Sequence, residues 1–260
     1  MNLLPENCIA HILSFTISRN VCRSSLISLT FRLAADSNVV WEKFLPSDIM
    51  SRLCSPVVSY SLAKELYFHL CNPARIDEGK MTFSLEKSSG KKCYMISARE
   101  LFITWGNEFS EVVELRTICW LEIHGKFSRK MLSPETKYKA YGLDTLPSET
   151  SVKVWDQRSQ FSAYLCHCDT NKKSPDKLCI LHRFELLNGR VDDEEHRVPC
   201  CRDDGWMQIE LGRFASHGGG CDCGTGNGDG DEVKMSLLEV NGYHLKGGLV
   251  IERIEIRPKD

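Results

Sequence analysis

Leu4-Pro5-Glu6-Asn7-Cys8-Ile9-Ala10-His11-Ile12-Leu13-Ser14-Phe15, read with Val39-Val40-Trp41-Glu42-Lys43-Phe44-Leu45-Pro46, decides how the first part of the chain folds. Pro5 suits a first helical position, where its missing N–H is not needed, and Glu6 sets a carboxylate beside the positive end of the helix. Ile9, Ile12 and Leu13 fall on one face at i, i+3 and i+4, and Cys8, Ile12 and Phe15 widen that stripe. The spacing predicts a helix over 5–15. Ser18 is placed to cap a second helix carrying Val21, Cys22, Leu26, Leu29 and Phe31, and Ser37 a third carrying Val40, Trp41, Phe44 and Leu45. Three short helices in about 45 residues make a poor core by themselves, so such a unit needs a partner.

The chain has 260 residues, 42% of them hydrophobic and 26% charged, enough for one large domain and one small one. A net charge of -2 and a pI near 6.5 leave no electrostatic footprint for nucleic acid. No stretch approaches the roughly 20 apolar residues of a membrane helix, and no basic, apolar leader stands at the start, so neither nucleic acid nor membrane is an expected partner. The sequence has no Asn-x-Ser/Thr sequon. Its 13 cysteines are an odd number, and Cys8, Cys22, Cys93 and Cys119 sit inside apolar periodic segments. Reduced thiols and a cytoplasmic or nuclear location are the expectation.

Residues 47–74 still read as helix, with Leu62, Leu66, Phe68 and Leu70 before Cys71-Asn72-Pro73, and 77–92 reads as a polar linker with one apolar interruption at 81–85. From about Gly90 the period changes. Apolar runs at 93–96, 101–105, 117–123, 151–155, 179–187, 206–211, 233–240 and 249–256 are separated by glycines. Alternation is clearest where Gln208 and Glu210 interleave with Met207, Ile209 and Leu211, and in Ile251-Glu-Arg-Ile-Glu-Ile256. Period two with one apolar face predicts antiparallel strands half covered by a second sheet. The expected fold is α+β: a small three-helix unit at 1–47, a helical connector and linker at 48–92, and an antiparallel β-sandwich at 93–260.

Other constellations lead nowhere chemical. Cys166-His167-Cys168, Cys179, His182, Cys200-Cys201 and Cys221-Asp222-Cys223 are soft ligands, but their spacing is not that of structural zinc sites, so no metal is expected. His217-Gly218-Gly219-Gly220 lacks the G-x-S-x-G elbow it would serve. The Asn227, Asp229, Asp231 alternation lacks the Gly and Glu of a calcium loop. No acid, base and nucleophile converge, so neither an enzyme nor a cofactor is expected.

Leu4-Pro5, Cys8-Ile9, Ile12-Leu13, Cys22-Arg23-Ser24-Ser25-Leu26 and Trp41 together resemble an F-box. That resemblance implies that Leu4, Pro5, Ile9, Ile12, Leu13, Leu26 and Trp41 serve a Skp-type adaptor and, through it, a cullin. Tyr94 to Leu101, Ile103-Thr104-Trp105-Gly106, Phe109 to Leu115, Cys119 to Ile123, Asp204 to Gly212, Met235 to Val240 and Lys246 to Val250 are similar to the plant phloem lectins. With the F-box, the resemblance covers nearly the whole chain and identifies an F-box protein of the phloem-protein-two-like class. It implies a non-catalytic substrate receptor of a Skp-cullin-F-box ubiquitin ligase, whose jelly-roll, lectin-like domain presents a site for a protein or glycoprotein target. The alternative is a stand-alone lectin for N-acetylglucosamine oligomers.

The resemblance also shows departures. Only Asn107 and Glu108 separate Gly106 from Phe109 where relatives carry a longer insert with further tryptophans, and a second shortening follows Tyr141. Sugar faces stack on aromatic rings, so Trp105 is the candidate carbohydrate-binding residue, while Trp120 and Trp206 read as core. Weak or absent glycan affinity is expected, and the shortened strands leave two alternatives, a sandwich that still closes or an edge left unpaired.

Overall fold

The computed structural model describes residues 4–54, 62–104, 113–115, 121–145, 160–167, 181–185, 200–202, 206–216, 232–239 and 249–259. The chain forms two compact units, Met1–Tyr94 and Met95–Asp260.

The first unit carries helices α1 (Glu6–Leu13), α2 (Ser18–Ser24), α3 (Leu29–Asp36), α4 (Asn38–Glu42), α5 (Ser47–Met50) and α6 (Ala63–Leu70), followed by strands β1 (Ala74–Ile76), β2 (Met81–Leu85) and β3 (Lys92–Ser97), the last of which leads into the second unit. Pro5 stands one position earlier than its sequence preference, at the cap of α1, where its carbonyl accepts from the N–H groups of Cys8 and Ile9. The single second helix expected over 18–31 is two helices. Residues 25–28 turn the chain, and the Ser28 hydroxyl accepts from the Phe31 N–H to cap α3. Ser18 caps nothing; it lies inside α2 and donates to the carbonyls of Lys87 and Ser88 at 3.0 and 2.9 Å.

The core of this unit does not stop at residue 47. Trp41 on α4 meets Tyr67 and Phe68 on α6 at ring-centroid distances of 5.1 and 5.4 Å, and Phe44 meets Tyr67 at 5.9 Å. Small Ala34 and Ala35, both buried, let α3 approach α1 and α4 closely. The stretch expected to be a polar linker is also structured. β2 pairs with β1 in the register Ala74↔Phe83 and Ile76↔Met81, and Phe83 and Leu85 are buried. The turn before β2 uses left-handed backbone at Asp77, Glu78 and Gly79, and the Asp77 carboxylate takes both ends of the Arg52 guanidinium, one contact at 2.8 Å.

The second unit carries β4 (Phe102–Ile103), β5 (Val113–Leu115), β6 (Leu121–Ser128), β7 (Lys137–Thr145), β8 (Gln160–His167), β9 (Leu181–Glu185), β10 (Cys200–Cys201), β11 (Trp206–Ala215), β12 (Glu232–Glu239) and β13 (Leu249–Pro258). Its strand pairs are antiparallel and form two sheets. One runs β13-β7-β11-β10 with β5 beside β13, and the other runs β4-β6-β12-β8-β9.

β7 and β8 lie where the sequence reading had placed no complete strand. β7 pairs with β11 along one side and β13 along the other, and both ladders run past Tyr141 to Thr145. Of the two alternatives left after Tyr141, β7 therefore shows the paired one as far as Thr145. Bulges at Leu211 and Glu252 keep the two ladders in step. Alternate residues Tyr138, Ala140, Ile209, Phe214, Ile254 and Ile256 are buried, and Ile254 reaches Gly125 of the other sheet so closely that a Cβ there would stand 2.9 Å from its Cδ1. Among the described residues no helix is long and apolar enough to cross a membrane.

Candidate docking face of the N-terminal unit

Among the described residues eleven large apolar side chains are exposed, and ten of them precede residue 63. Leu4, Ile12 and Phe15 lie on or beside α1, Leu26 and Ile27 in the turn before α3, and Leu29 and Leu33 one turn apart on α3 itself. Soluble chains scatter single apolar residues over their surfaces, whereas this many on packed neighbouring helices mark an interaction face.

The structure divides the seven residues expected to face an adaptor. Leu4, Pro5, Ile12 and Leu26 are on the surface, Ile12 at 55% exposure and Leu26 at 85%. Ile9, Leu13 and Trp41 are not: they are 5%, 5% and 1% exposed and hold the helices together from inside. On α1 the stripe that packs on α3 is Ile9, Ala10 and Leu13. Phe15, Ile27, Leu29 and Leu33 were missed as surface candidates. The signal was available in Leu29 and Leu33, spaced i, i+4 on the side of α3 away from Ala34 and Ala35.

Behind this face, α2 and α6 grip the turn between β2 and β3. Ser18 donates to two of its carbonyls, the Arg19 N–H donates to the Ser88 carbonyl at 3.1 Å, and the Tyr67 hydroxyl lies 3.4 and 3.3 Å from the carbonyls of Glu86 and Lys87. Gly90, at φ 74°, closes the turn, and a Cβ there would stand 3.4 Å from the Tyr67 hydroxyl oxygen. Burial pushes the Tyr67 phenol well above its ordinary range, a hydrogen bond with Ser18 opposing, and burial likewise raises the Cys71 thiol, which the nearby Lys87 opposes.

Trp105 and Trp120 lie outside the described residues, as do Asn107, Glu108, the 217–231 glycine-rich stretch and most of the 166–182 cysteine and histidine cluster; nothing is described of the Trp206 side chain. Among the described residues no group of three or more His, Cys, Asp or Glu side chains is placed to hold a metal ion. Cys8, Cys22, Cys54, Cys71 and Cys93 take part in no disulfide.

The sequence model of the family described as phloem protein 2 matches residues 91–258, which span the second unit almost entirely. Similarity to known proteins extends through the helices as well. The chain is 43% identical to the Arabidopsis thaliana F-box protein PP2-B15 over 285 aligned positions, covering 99% of this chain and 96% of that protein. It is 42% identical to the F-box protein VBF of the same plant over 290 positions, covering all of both chains, and 42% identical to F-box protein PP2-B13, covering 99% of each.

The chain belongs to the F-box proteins of the phloem protein 2 class. The two antiparallel sheets lie in the part of the chain that the phloem protein 2 model matches, and the exposed apolar residues of α1 to α3 precede that part. The alignment with VBF runs over 290 positions against 260 residues here, so about thirty of its positions have no counterpart in this chain.

Proposed function

We propose that this chain is the non-catalytic substrate receptor of a Skp-cullin-F-box ubiquitin ligase, acting in the cytoplasm or nucleus. Its N-terminal unit docks a Skp-type adaptor, which joins it to the cullin. Its second unit, read as a jelly-roll sandwich, presents loops to a protein or glycoprotein target; nucleic acid and membrane are not partners in this reading. The observation that carries the proposal is the concentration of exposed apolar side chains before residue 63, in a chain whose relatives are named F-box proteins. Leu4, Pro5, Ile12 and Leu26 make the contacts, and Ile9, Leu13 and Trp41 contribute by holding the helices in place.

The test is adaptor capture by purified wild type and by an Ile12→Glu/Leu26→Glu double variant, both residues being exposed so that the fold survives. Capture by the wild type and loss in the folded variant support the receptor. Equal capture by both shows that docking does not run through Ile12 and Leu26, and no capture by the wild type returns the chain to the stand-alone lectin reading.

Glycan affinity through Trp105 is proposed to be weak, because a single ring lacks the second stacking partner that a chain thirty positions shorter than its alignment with VBF has room to have lost. Strong chitooligosaccharide binding on an array, abolished by Trp105→Ala, would overturn that.

A further inference from the structure

We infer that the face of β11, β7 and β13 turned away from the second sheet is a docking surface for an acidic peptide segment. The register builds it in rows. Arg213, Lys139 and Arg257 stand abreast on three adjacent strands, and Glu210, Tyr141 and Glu255 form the next row. With strands about 4.8 Å apart, the three cations span about 10 Å. The intervening residues Ala140, Ile254 and Ile256 point the other way, into the core.

The charges are layered. Glu255 is 3% exposed and accepts from Arg253 at 2.7 Å and Arg202 at 3.1 Å, with Arg257 on its other oxygen. Glu210, also sunk, takes Arg213 at 2.6 Å and Lys139 at 3.2 Å. The groups nearest solvent are cations, Arg213 at 51% and Arg257 at 35%, and Arg257 lies 5.2 Å over the Tyr141 ring. Counting Glu252 beside Arg253, these ion pairs join five cations to three carboxylates, in a chain whose net charge is -2. The carboxylates hold the guanidinium groups in fixed poses, so an incoming anion meets donors already oriented.

Charge complementarity selects an anionic partner, and the sunken carboxylates select its kind. A uniform polyanion such as a phosphodiester chain meets Glu210 and Glu255 wherever it meets the cations, whereas a peptide alternates acidic side chains with neutral ones and offers apolar groups to Tyr141. An extended strand places same-side residues about 7 Å apart, a spacing that fits within the cation row.

The full-length protein is tested by fluorescence anisotropy with a labelled short peptide of alternating Glu and Ser, its counterpart with Gln for Glu, and a short oligothymidylate. The Glu peptide is expected to bind, more weakly as salt rises, and the Gln peptide to show no binding. Arg213→Gln, at a half-exposed position, should weaken binding on the order of threefold with an unchanged melting temperature, and Arg213→Gln/Arg257→Gln on the order of tenfold. The inference is overturned by equal binding of the Gln peptide, by no binding at low salt, or by an unchanged affinity in folded Arg213→Gln. Tighter binding of the oligothymidylate, or of phosphatidylserine vesicles, also overturns it by assigning the face to another class of partner.

Discussion

The Trp41 indole N–H donates to the carbonyl oxygen of Ala35 at 2.7 Å, tying α4 back to the end of α3 from inside the core. The bond explains why a tryptophan is needed where any large apolar residue would fill the space. Trp41→Phe leaves the Ala35 carbonyl buried without this donor and opens a small void, and is expected to cost about 2–4 kcal/mol of stability. Urea unfolding of wild type and variant measures it. At temperatures well below its midpoint the variant should still capture the adaptor, since Trp41 shows almost no surface.

Ile12→Glu and Ile9→Glu, three residues apart on α1, should separate contact from fold. Ile12→Glu should change stability by no more than about 0.5 kcal/mol while abolishing capture. Ile9→Glu buries an unpaired carboxylate among α1, α3 and α4 and should cost on the order of 3–5 kcal/mol. Circular dichroism melts run beside the pull-downs distinguish the two.

Tyr67 sets an alkaline limit on the N-terminal unit. Its folded pKa is raised above the ordinary value of 10.0, so the native state holds the phenolic proton more tightly than the unfolded chain. That contribution is complete below the unfolded value and is lost as pH climbs from there toward the folded one. Melting temperature should fall as pH rises from about 9 to about 11, and Tyr67→Phe should flatten that part of the fall.

Gly125 sits at a crowded point between the two sheets. A Cβ there meets Ile254 Cδ1 at 2.9 Å and Leu101 Cδ2 at 3.0 Å, so Gly125→Ala should destabilise by about 1–3 kcal/mol. Ile254→Val shortens the obstructing branch, and the double variant should recover part of the loss. An additive double-mutant cycle would show that the two do not meet.

What the sequence made legible follows from side-chain size. β11 and β13 announce themselves because Ile209, Ile251, Ile254 and Ile256 stand among polar and charged neighbours. β7 escaped because its inward residues end in Ala140 and Gly142, which fill a crowded interior without signalling it; a Cβ on Gly142 would already meet Ile209 at 3.3 Å. β2 escaped because its neighbours are charged turn residues, and only tertiary packing buries Phe83 and Leu85. On α1, amphipathic spacing located the apolar residues and left open which of them look inward. That choice is made by α3, through Ala34 and Ala35, a partner that periodicity on one helix does not contain.

Both flanks of β7 are occupied from Tyr138 to Thr145, so its N–H and C=O groups are spent within the molecule. A chain trimmed beside such a strand offers no template for a neighbour's backbone to add to. A chain of this class can therefore shed length next to β7 without opening that strand to a neighbour's backbone.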